Sequence, residues 1–135
     1  MQILLAEDNP ADVRLLQEAF KESHLESSLS VVPDGVEALA FLRHEGRYAA
    51  APRPDLLVLD LNMPKKDGRE VLAEMKSDSQ LWAIPVMILS SSSLLEDQQR
   101  TLALGAVRYI VKPHEFSEFL RLVRVIEDLC LAHQA

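Results

Sequence analysis

Five residues whose side chains are suited to chemistry each follow a short apolar run of the sequence. Glu7 and Asp8 come after the first run, Asp60 after the third, Ser90 after the fourth and Lys112 after the fifth. In an open α/β sheet, ligands bind beyond the carboxyl ends of the strands, near the point where the strand order reverses. The carboxylates, the hydroxyl and the ammonium are therefore predicted to converge on one edge of a sheet.

A cation is expected beside these acids, because clustered carboxylates repel one another. The candidate ligands are all oxygen atoms, without histidine or cysteine, and such a set favours Mg²⁺, which also binds phosphate oxygens. A carboxylate can attack phosphorus and form an acyl phosphate, a reaction that needs positioning and neutralisation of the phosphoryl oxygens. Lys112 and Ser90 are residue types that meet this need. Mg²⁺ is thus the implied cofactor.

The elements that must position these residues follow from the apolar runs and the patterns between them. Consecutive apolar residues are typical of strands buried on both faces, as in a parallel sheet covered by helices. Five such runs occur, at Ile3–Ala6, Leu29–Val32, Leu56–Leu59, Val86–Leu89 and Val107–Val111. Helical patterns alternate with them. This alternation predicts an α/β fold, a doubly wound five-stranded parallel sheet with five helices.

Local signals predict where the helices begin and where a loop interrupts them. Starts are expected after Asn9-Pro10, at Asp34-Gly35, at Asp67–Glu70, at Ser93–Glu96 and near His114. Gly105 is expected to end the fourth helix. The segment from Arg43 to Pro54 is predicted to be an exposed loop. The serines after Ser90, at 91–93, are interpreted as a loop or a helix cap, so function is assigned to Ser90 alone.

Bulk properties narrow the class of protein. The chain has 135 residues, so residues 1–135 are predicted to form a single domain without room for an effector domain. A formal net charge of −7 disfavours nucleic acid as a partner. No apolar run approaches the ~18 residues that span a bilayer, so no membrane association is expected. Cys130 is the only cysteine, which excludes an intramolecular disulfide and favours a cytoplasmic location.

These features closely resemble the receiver domain of the response regulators of bacterial two-component systems. The resemblance covers nearly the whole chain and rests on Glu7-Asp8, the run L-L-V-L-D-L-N-M-P ending at Pro64, Ser90 and Lys112-Pro113. It implies a flavodoxin-like receiver fold with strand order 2-1-3-4-5. It also implies a phosphorylation-dependent signalling switch, not an enzyme, that catalyses only its own phosphorylation and dephosphorylation.

The resemblance assigns a role to each acidic residue of the site. Asp60 would be the phosphoacceptor, which receives a phosphoryl group from a sensor histidine kinase. Asp8 and Asp60 would be direct Mg²⁺ ligands, while Glu7 would act mainly through a bound water. The backbone carbonyl of Asn62 would complete the protein's share of the metal site.

The resemblance also assigns roles to the later strands. Lys112 would pair with the carboxylate or the phosphoryl oxygens, and Ser90 would hydrogen-bond a phosphoryl oxygen. Pro113 would follow a cis peptide bond that aims Lys112 inward. Tyr109 would turn inward as Ser90 moves towards the phosphoryl group, altering the surface formed by the fourth and fifth strands and helices. That surface would contact an unknown downstream protein.

The last helix has more apolar residues than one buried face requires. Beside one apolar stripe, a second stripe is formed by Leu122, Val125 and Leu129. We interpret this second stripe as a contact surface, either for a homodimer or for another partner. The long loop and the ending of the chain weakly resemble the small response regulators paired with phytochrome-type light-sensing kinases.

Two other functions compete with the switch. A Mg²⁺-dependent phosphatase of the aspartyl-phosphate type has a similar site, but its signature needs an aspartate two residues after the nucleophile, where this chain has Asn62. It also needs a cap segment, which is not seen here. A flavodoxin-type binding module would require a phosphate loop after the first strand, where Glu7-Asp8 would repel phosphate.

Overall fold

The computed structural model describes residues 1–23 and 26–133 and contains five strands and five helices. The strands are β1 (Gln2–Ala6), β2 (Ser28–Val32), β3 (Leu56–Leu59), β4 (Val86–Ser90) and β5 (Arg108–Val111). The helices are α1 (Pro10–Lys21), α2 (Gly35–Leu42), α3 (Gly68–Lys76), α4 (Leu95–Ala103) and α5 (Phe116–Ala132). Each apolar run of the sequence corresponds to a strand, with ends that agree to within one residue.

All strand pairs are parallel, and the order across the sheet is β2-β1-β3-β4-β5, as expected. The strand order reverses between β1 and β3, which are neighbours in the sheet although β2 lies between them in sequence. Ala6 of β1 is in register with Leu59 of β3. The residues that follow these two strands, Glu7 and Asp60, are therefore brought side by side at the carboxyl edge of the sheet.

Helices cover both faces of the sheet, and the side chains of each strand alternate between two apolar clusters. One cluster contains Leu4, Leu57 and Leu59 together with buried residues of α2 and α3. The other contains Ile3, Leu5 and Val58 together with buried residues of α1 and α5. This double coverage explains why the strands are apolar at consecutive positions. Within the described residues, no helix is long and apolar enough to cross a membrane.

The starts of α1, α2 and α3 follow the capping signals, whereas α4 and α5 begin without a side-chain cap. The side chain of Asn9 caps α1 by accepting hydrogen bonds from the amides of Ala11 and Asp12. Asp67 and Glu70 form a complete capping box at α3. The expected cap of α4 at Ser93 is wrong by one residue, because Leu94 occupies the N-cap position without a side-chain hydrogen bond.

Gly105 ends α4 as expected. Its φ angle of +103° lies in the left-handed region, which glycine adopts at low energetic cost. The amides of Gly105 and Ala106 donate to the carbonyls of Leu102 and Thr101, the two bonds of a Schellman motif. The predicted loop from Arg43 to Pro54 is mostly exposed but contains a single 3-10 turn at Gly46–Tyr48.

The second apolar stripe of α5 is not a free surface. Leu122 is only 3% exposed and belongs to the apolar cluster shared with α1 and the sheet. Val125 and Leu129 are half-buried and pack against the same cluster. The assignment of Leu122 to an interaction surface is therefore wrong. The helix lies against both the sheet and α1, and burial on two sides requires a wider apolar face than burial on one.

Candidate functional site

Asp60 is held at the centre of the carboxyl edge by the backbone on both sides of it. Its amide donates to the carbonyl of Ala6 at 3.0 Å, and its Oδ1 accepts from the amide of Asn62 at 3.3 Å. The chain then turns back into α3, where a Cβ at Gly68 would lie 2.3 Å from the Asp60 carbonyl oxygen. Only glycine fits there without displacing the backbone. Asp60 itself is 3% exposed.

Three acidic residues meet at this edge. One carboxylate oxygen each from Glu7, Asp8 and Asp60 lies within 4.8 Å of the others. Glu7 and Asp60 are buried, whereas Asp8 is exposed. The predicted convergence of these residues is thus found in the structure. Asn62 is exposed two residues beyond Asp60, and a role for its carbonyl as a ligand stays a prediction.

Lys112 brings a single ammonium into the acidic cluster. Its Nζ lies 2.7 Å from Glu7 Oε1, 2.9 Å from Asp12 Oδ2 and 3.3 Å from Asp60 Oδ2. The Lys112 side chain is only 11% exposed. Its backbone amide donates to the carbonyl of Ser90 at 2.8 Å, which fixes the end of β5 against β4.

The expected cis peptide bond between Lys112 and Pro113 is not found. No peptide bond within residues 1–23 and 26–133 is cis, so this one is trans. The intrinsic preference at an Xaa-Pro bond is small, and the surrounding structure decides which isomer is adopted. Here Lys112 reaches Asp60 with a trans bond, so a cis bond is not needed to direct the side chain inward.

The charges of the cluster are unbalanced, because Glu7, Asp12 and Asp60 share one ammonium and Asp8 lies beside Glu7 and Asp60. Burial and the adjacent Asp60 raise the pKa of Glu7 to about 7, although Lys112 opposes the shift. Burial lowers the pKa of Lys112, but its carboxylate neighbours outweigh this and the net direction is upward. Lys112 therefore stays charged.

The cluster fits a hard divalent cation on two grounds. Its donors are carboxylate oxygens, which Mg²⁺ and similar ions prefer. In addition, the buried Glu7 Oε1 has no hydrogen-bond partner among the described residues. Although Lys112 Nζ is within ion-pair distance of this atom, the pair is not aligned as a hydrogen bond. Lys112 supplies only one positive charge to these carboxylates, so a cation beside Glu7 would reduce the repulsion that remains.

Ser90 and Tyr109 are each hydrogen-bonded to Ser92. Ser90 is fully buried, and its Oγ accepts from the Ser92 amide at 3.2 Å. The ring of Tyr109 is half-buried, and its hydroxyl donates to the Ser92 carbonyl at 2.7 Å. The loop between β4 and α4 therefore links the two residues that the resemblance assigns to a switch.

Four residues with important contacts were not assigned roles by the sequence: Asp12, Arg69, Ser92 and Asp97. Asp97 is 8% exposed; its Oδ2 accepts from the Ser92 hydroxyl at 2.6 Å and its Oδ1 from Arg69 Nη2 at 2.7 Å. These two bonds hold the pKa of Asp97 below its ordinary value, and the bond from the Ser92 hydroxyl contributes the larger part. A sequence signal existed only for Asp12, which is acidic in the first turn of the helix that follows Glu7-Asp8.

Comparison with known proteins shows that this chain is similar to response regulators. Residues 3–124 match the family described as the response regulator receiver domain. The response regulator Rcp1 of Synechocystis is 43% identical over 129 residues, which cover 96% of this chain and 88% of Rcp1.

Two solved structures have the same fold at comparable identity. The phosphorylated cyanobacterial phytochrome response regulator RcpA has a TM-score of 0.90 and 48% identity, covering 99% of this chain and 96% of RcpA. The Mn²⁺-bound form of Rcp1 has a TM-score of 0.86 and 43% identity, covering 94% of this chain and 91% of the Rcp1 chain.

Proposed function

This chain belongs to the response regulator receiver domain family, whose members are phosphorylation-dependent signalling switches, and we propose that Asp60 is its phosphoacceptor. The observation that supports this assignment is the position of Asp60. It is buried at the point where the strand order reverses, beside the carboxylates of Glu7 and Asp8 and 3.3 Å from the Lys112 ammonium. Glu7 is equally buried and lies 2.7 Å from the same ammonium, so the Asp60→Asn variant is needed to separate the two carboxylates.

The proposed reaction is a transfer of a phosphoryl group to a carboxylate oxygen. A bond forms between Asp60 oxygen and phosphorus while the bond from phosphorus to the donor's leaving atom breaks and its electron pair departs with the leaving group. Lys112 neutralises charge on the phosphoryl oxygens, and Ser90 donates a hydrogen bond to one of them. Receiver domains accept the group from histidine kinases.

Receiver domains bind a divalent metal ion, and we propose that Mg²⁺ is the ion used here. Glu7, Asp8, Asp60 and the carbonyl of Asn62 would hold it. When bound, the ion would supply positive charge that offsets the charge of the phosphoryl group. The oxygen-only donor set and the excess of carboxylates over the single Lys112 ammonium support this choice. A manganese ion is bound in the related Rcp1 structure.

The output of the switch is proposed to pass through Ser90 and Tyr109 to the surface formed by β4, α4, β5 and α5. Both residues are hydrogen-bonded to Ser92, so a shift of Ser90 would disturb the loop that precedes α4. Population shift between two packings would then change contacts with a downstream protein, whose identity the fold does not define. No contact with nucleic acid is included in this proposal.

The kinase is proposed to be of the phytochrome type, because RcpA is described as a cyanobacterial phytochrome response regulator. Self-association through α5 also stays a prediction, and it now depends on the half-buried Val125 and Leu129 alone. The chain is proposed to act in the cytoplasm as one domain spanning residues 1–135, which the single five-stranded sheet supports.

We also propose that the chain is a signalling protein and not an enzyme that turns over an external substrate. The phosphatase alternative lacks support at one position, since Asn62 stands where a general acid would be required. An amide cannot donate a proton to a leaving group as a carboxylic acid does.

Intact-mass measurement tests the proposal. The protein is incubated with Mg²⁺ and acetyl phosphate, and we expect one phosphoryl adduct that is absent in Asp60→Asn and absent when Mg²⁺ is chelated. The matched control is Asp128→Asn, which removes an exposed aspartate of α5 and should retain the adduct. An adduct that persists in Asp60→Asn would overturn the assignment. Turnover of many phosphate esters would favour the phosphatase.

A further inference from the structure

Asp12 contacts the ammonium on which the proposed chemistry depends. Its Oδ2 lies 2.9 Å from Lys112 Nζ, whereas the Asp60 Oδ2 lies at 3.3 Å from the same atom. The Asp12 side chain is 20% exposed, so solvent screens this ion pair only in part. Lys112 is thus nearer to a carboxylate of α1 than to the proposed phosphoacceptor.

The position of Asp12 is set by regular structure on both sides of the contact. Asp12 lies in the first turn of α1, and its amide donates to the capping side chain of Asn9 at 3.3 Å. An acidic residue is favoured there by the helix dipole. Lys112 directly follows β5, and its backbone is tied to Ser90. Because neither residue lies in a free loop, the fold itself imposes their contact.

A phosphoryl group on Asp60 would compete with Asp12 for the same ammonium. The group brings negative charge next to Asp60, and Lys112 must move towards its oxygens to neutralise them. The hydrogen bond to Asp12 holds the ammonium back from this movement. The Asp12 carboxylate also repels an anionic phosphodonor as it approaches.

We propose that Asp12 is a positioning residue that restrains Lys112 and thereby slows phosphorylation of Asp60, an inference that rests on the proposed function of Asp60. Asp12 takes no part in the bond changes. It acts through Lys112, by adding a third carboxylate contact to those that Glu7 and Asp60 make with the ammonium. The result is a switch whose rate of activation depends on a residue outside the metal-binding cluster.

The initial rate of adduct formation with acetyl phosphate and Mg²⁺ tests this role in three variants. Asp12→Asn removes the charge and is expected to raise the rate roughly two- to ten-fold, the range for losing one partly exposed ion pair. Asp12→Glu keeps the charge and should remain near the wild-type rate. Glu18→Gln is the matched control, because it removes one charge from the same helix at an exposed site whose ion pair within the described residues is with Lys21.

A binding measurement separates restraint from general damage to the fold. Beryllofluoride with Mg²⁺ imitates a bound phosphoryl group without reacting, and titration calorimetry should show tighter binding to Asp12→Asn than to wild type or Glu18→Gln. A structural defect would weaken both binding and rate. A rate or affinity of Asp12→Asn equal to or below that of Glu18→Gln overturns the inference while the function of Asp60 stands. Absence of any adduct on the wild-type protein overturns both.

Discussion

Two charged clusters lie near the carboxyl edge of the sheet, and they are balanced in opposite ways. In the acidic site, defined as Glu7, Asp8, Asp12, Asp60 and Lys112, several carboxylates share one ammonium. In the Asp97 network, defined as Arg69, Ser92, Asp97 and Tyr109, one carboxylate accepts from one guanidinium and one hydroxyl. The pKa of Glu7 is raised to about 7, whereas that of Asp97 is lowered.

The difference separates a site that needs a ligand from a site that needs none. The acidic site retains repulsion that a cation or a change of charge can relieve. In the Asp97 network, the carboxylate has a hydrogen-bond donor for each of its oxygens. These bonds attach α4 to α3 and to the loop after β4. The buried residues of α4 are Asp97 and Thr101, while Leu94, Leu95 and Leu102 are exposed. Directional hydrogen bonds therefore hold α4 where apolar burial is small, which suits an element that responds to Ser92.

Removing the ammonium should have the largest effect on stability. Lys112→Met leaves buried carboxylates without a counter-charge, and we expect the free energy of unfolding to fall by about 3 kcal/mol at pH 8 without divalent cations. Urea denaturation measures this change, and Mg²⁺ should recover much of it because the ion neutralises the same carboxylates. Lys21→Met removes an exposed lysine paired with Glu18 and should change stability by less than ~0.5 kcal/mol. Equal losses in the two variants would contradict the imbalance described for the acidic site.

Breaking the balanced network should have a smaller effect that a cation does not reverse. Asp97→Ala leaves the Arg69 guanidinium and the Ser92 hydroxyl without their acceptor, and we expect a loss of about 2 kcal/mol. Glu96→Ala is the matched control, since Glu96 is exposed and, in the part of the chain that the structure describes, pairs with Arg100 at 3.5 Å. Urea denaturation with and without Mg²⁺ distinguishes the two clusters. Recovery of the Asp97→Ala variant by Mg²⁺ would show that the network is not independent of the acidic site.

Removing a carboxylate from the acidic site should change the free energy of unfolding least, and the change should be an increase instead of a decrease. In Asp60→Asn the ammonium keeps its contacts with Glu7 and Asp12, while repulsion among the acids falls. We expect the free energy of unfolding without divalent cations to rise by up to about 1 kcal/mol. The increase in melting temperature that Mg²⁺ produces in the wild-type protein should shrink in this variant. A loss of stability in Asp60→Asn would argue that Asp60 is mainly a structural partner of Lys112.

The sequence predicts the sheet well, because burial on both faces imposes apolar residues at every position of a strand. It predicts the acidic cluster for a related reason: parallel strands end at the same edge, so the residues after them must meet there. It does not predict Leu122, whose burial depends on α1 packing beside α5. The isomer at Lys112-Pro113 is also beyond local reasoning, because the intrinsic preference is only about 0.5–1 kcal/mol.

The sequence by itself determined the alternation of strand and helix, which is repeated five times, and the presence of a chemically suited residue after four of the five strands. It thereby predicted the fold class and the convergence of Glu7, Asp8, Asp60, Ser90 and Lys112 on one edge of the sheet. Only the tertiary structure decided which oppositely charged side chains form ion pairs. The pairing of Asp12 with Lys112 spans 100 residues, and that of Arg69 with Asp97 spans 28. An acid in the first turn of a helix is favoured by the helix dipole wherever it occurs, so residue type alone does not distinguish a capping charge from a partner in the site.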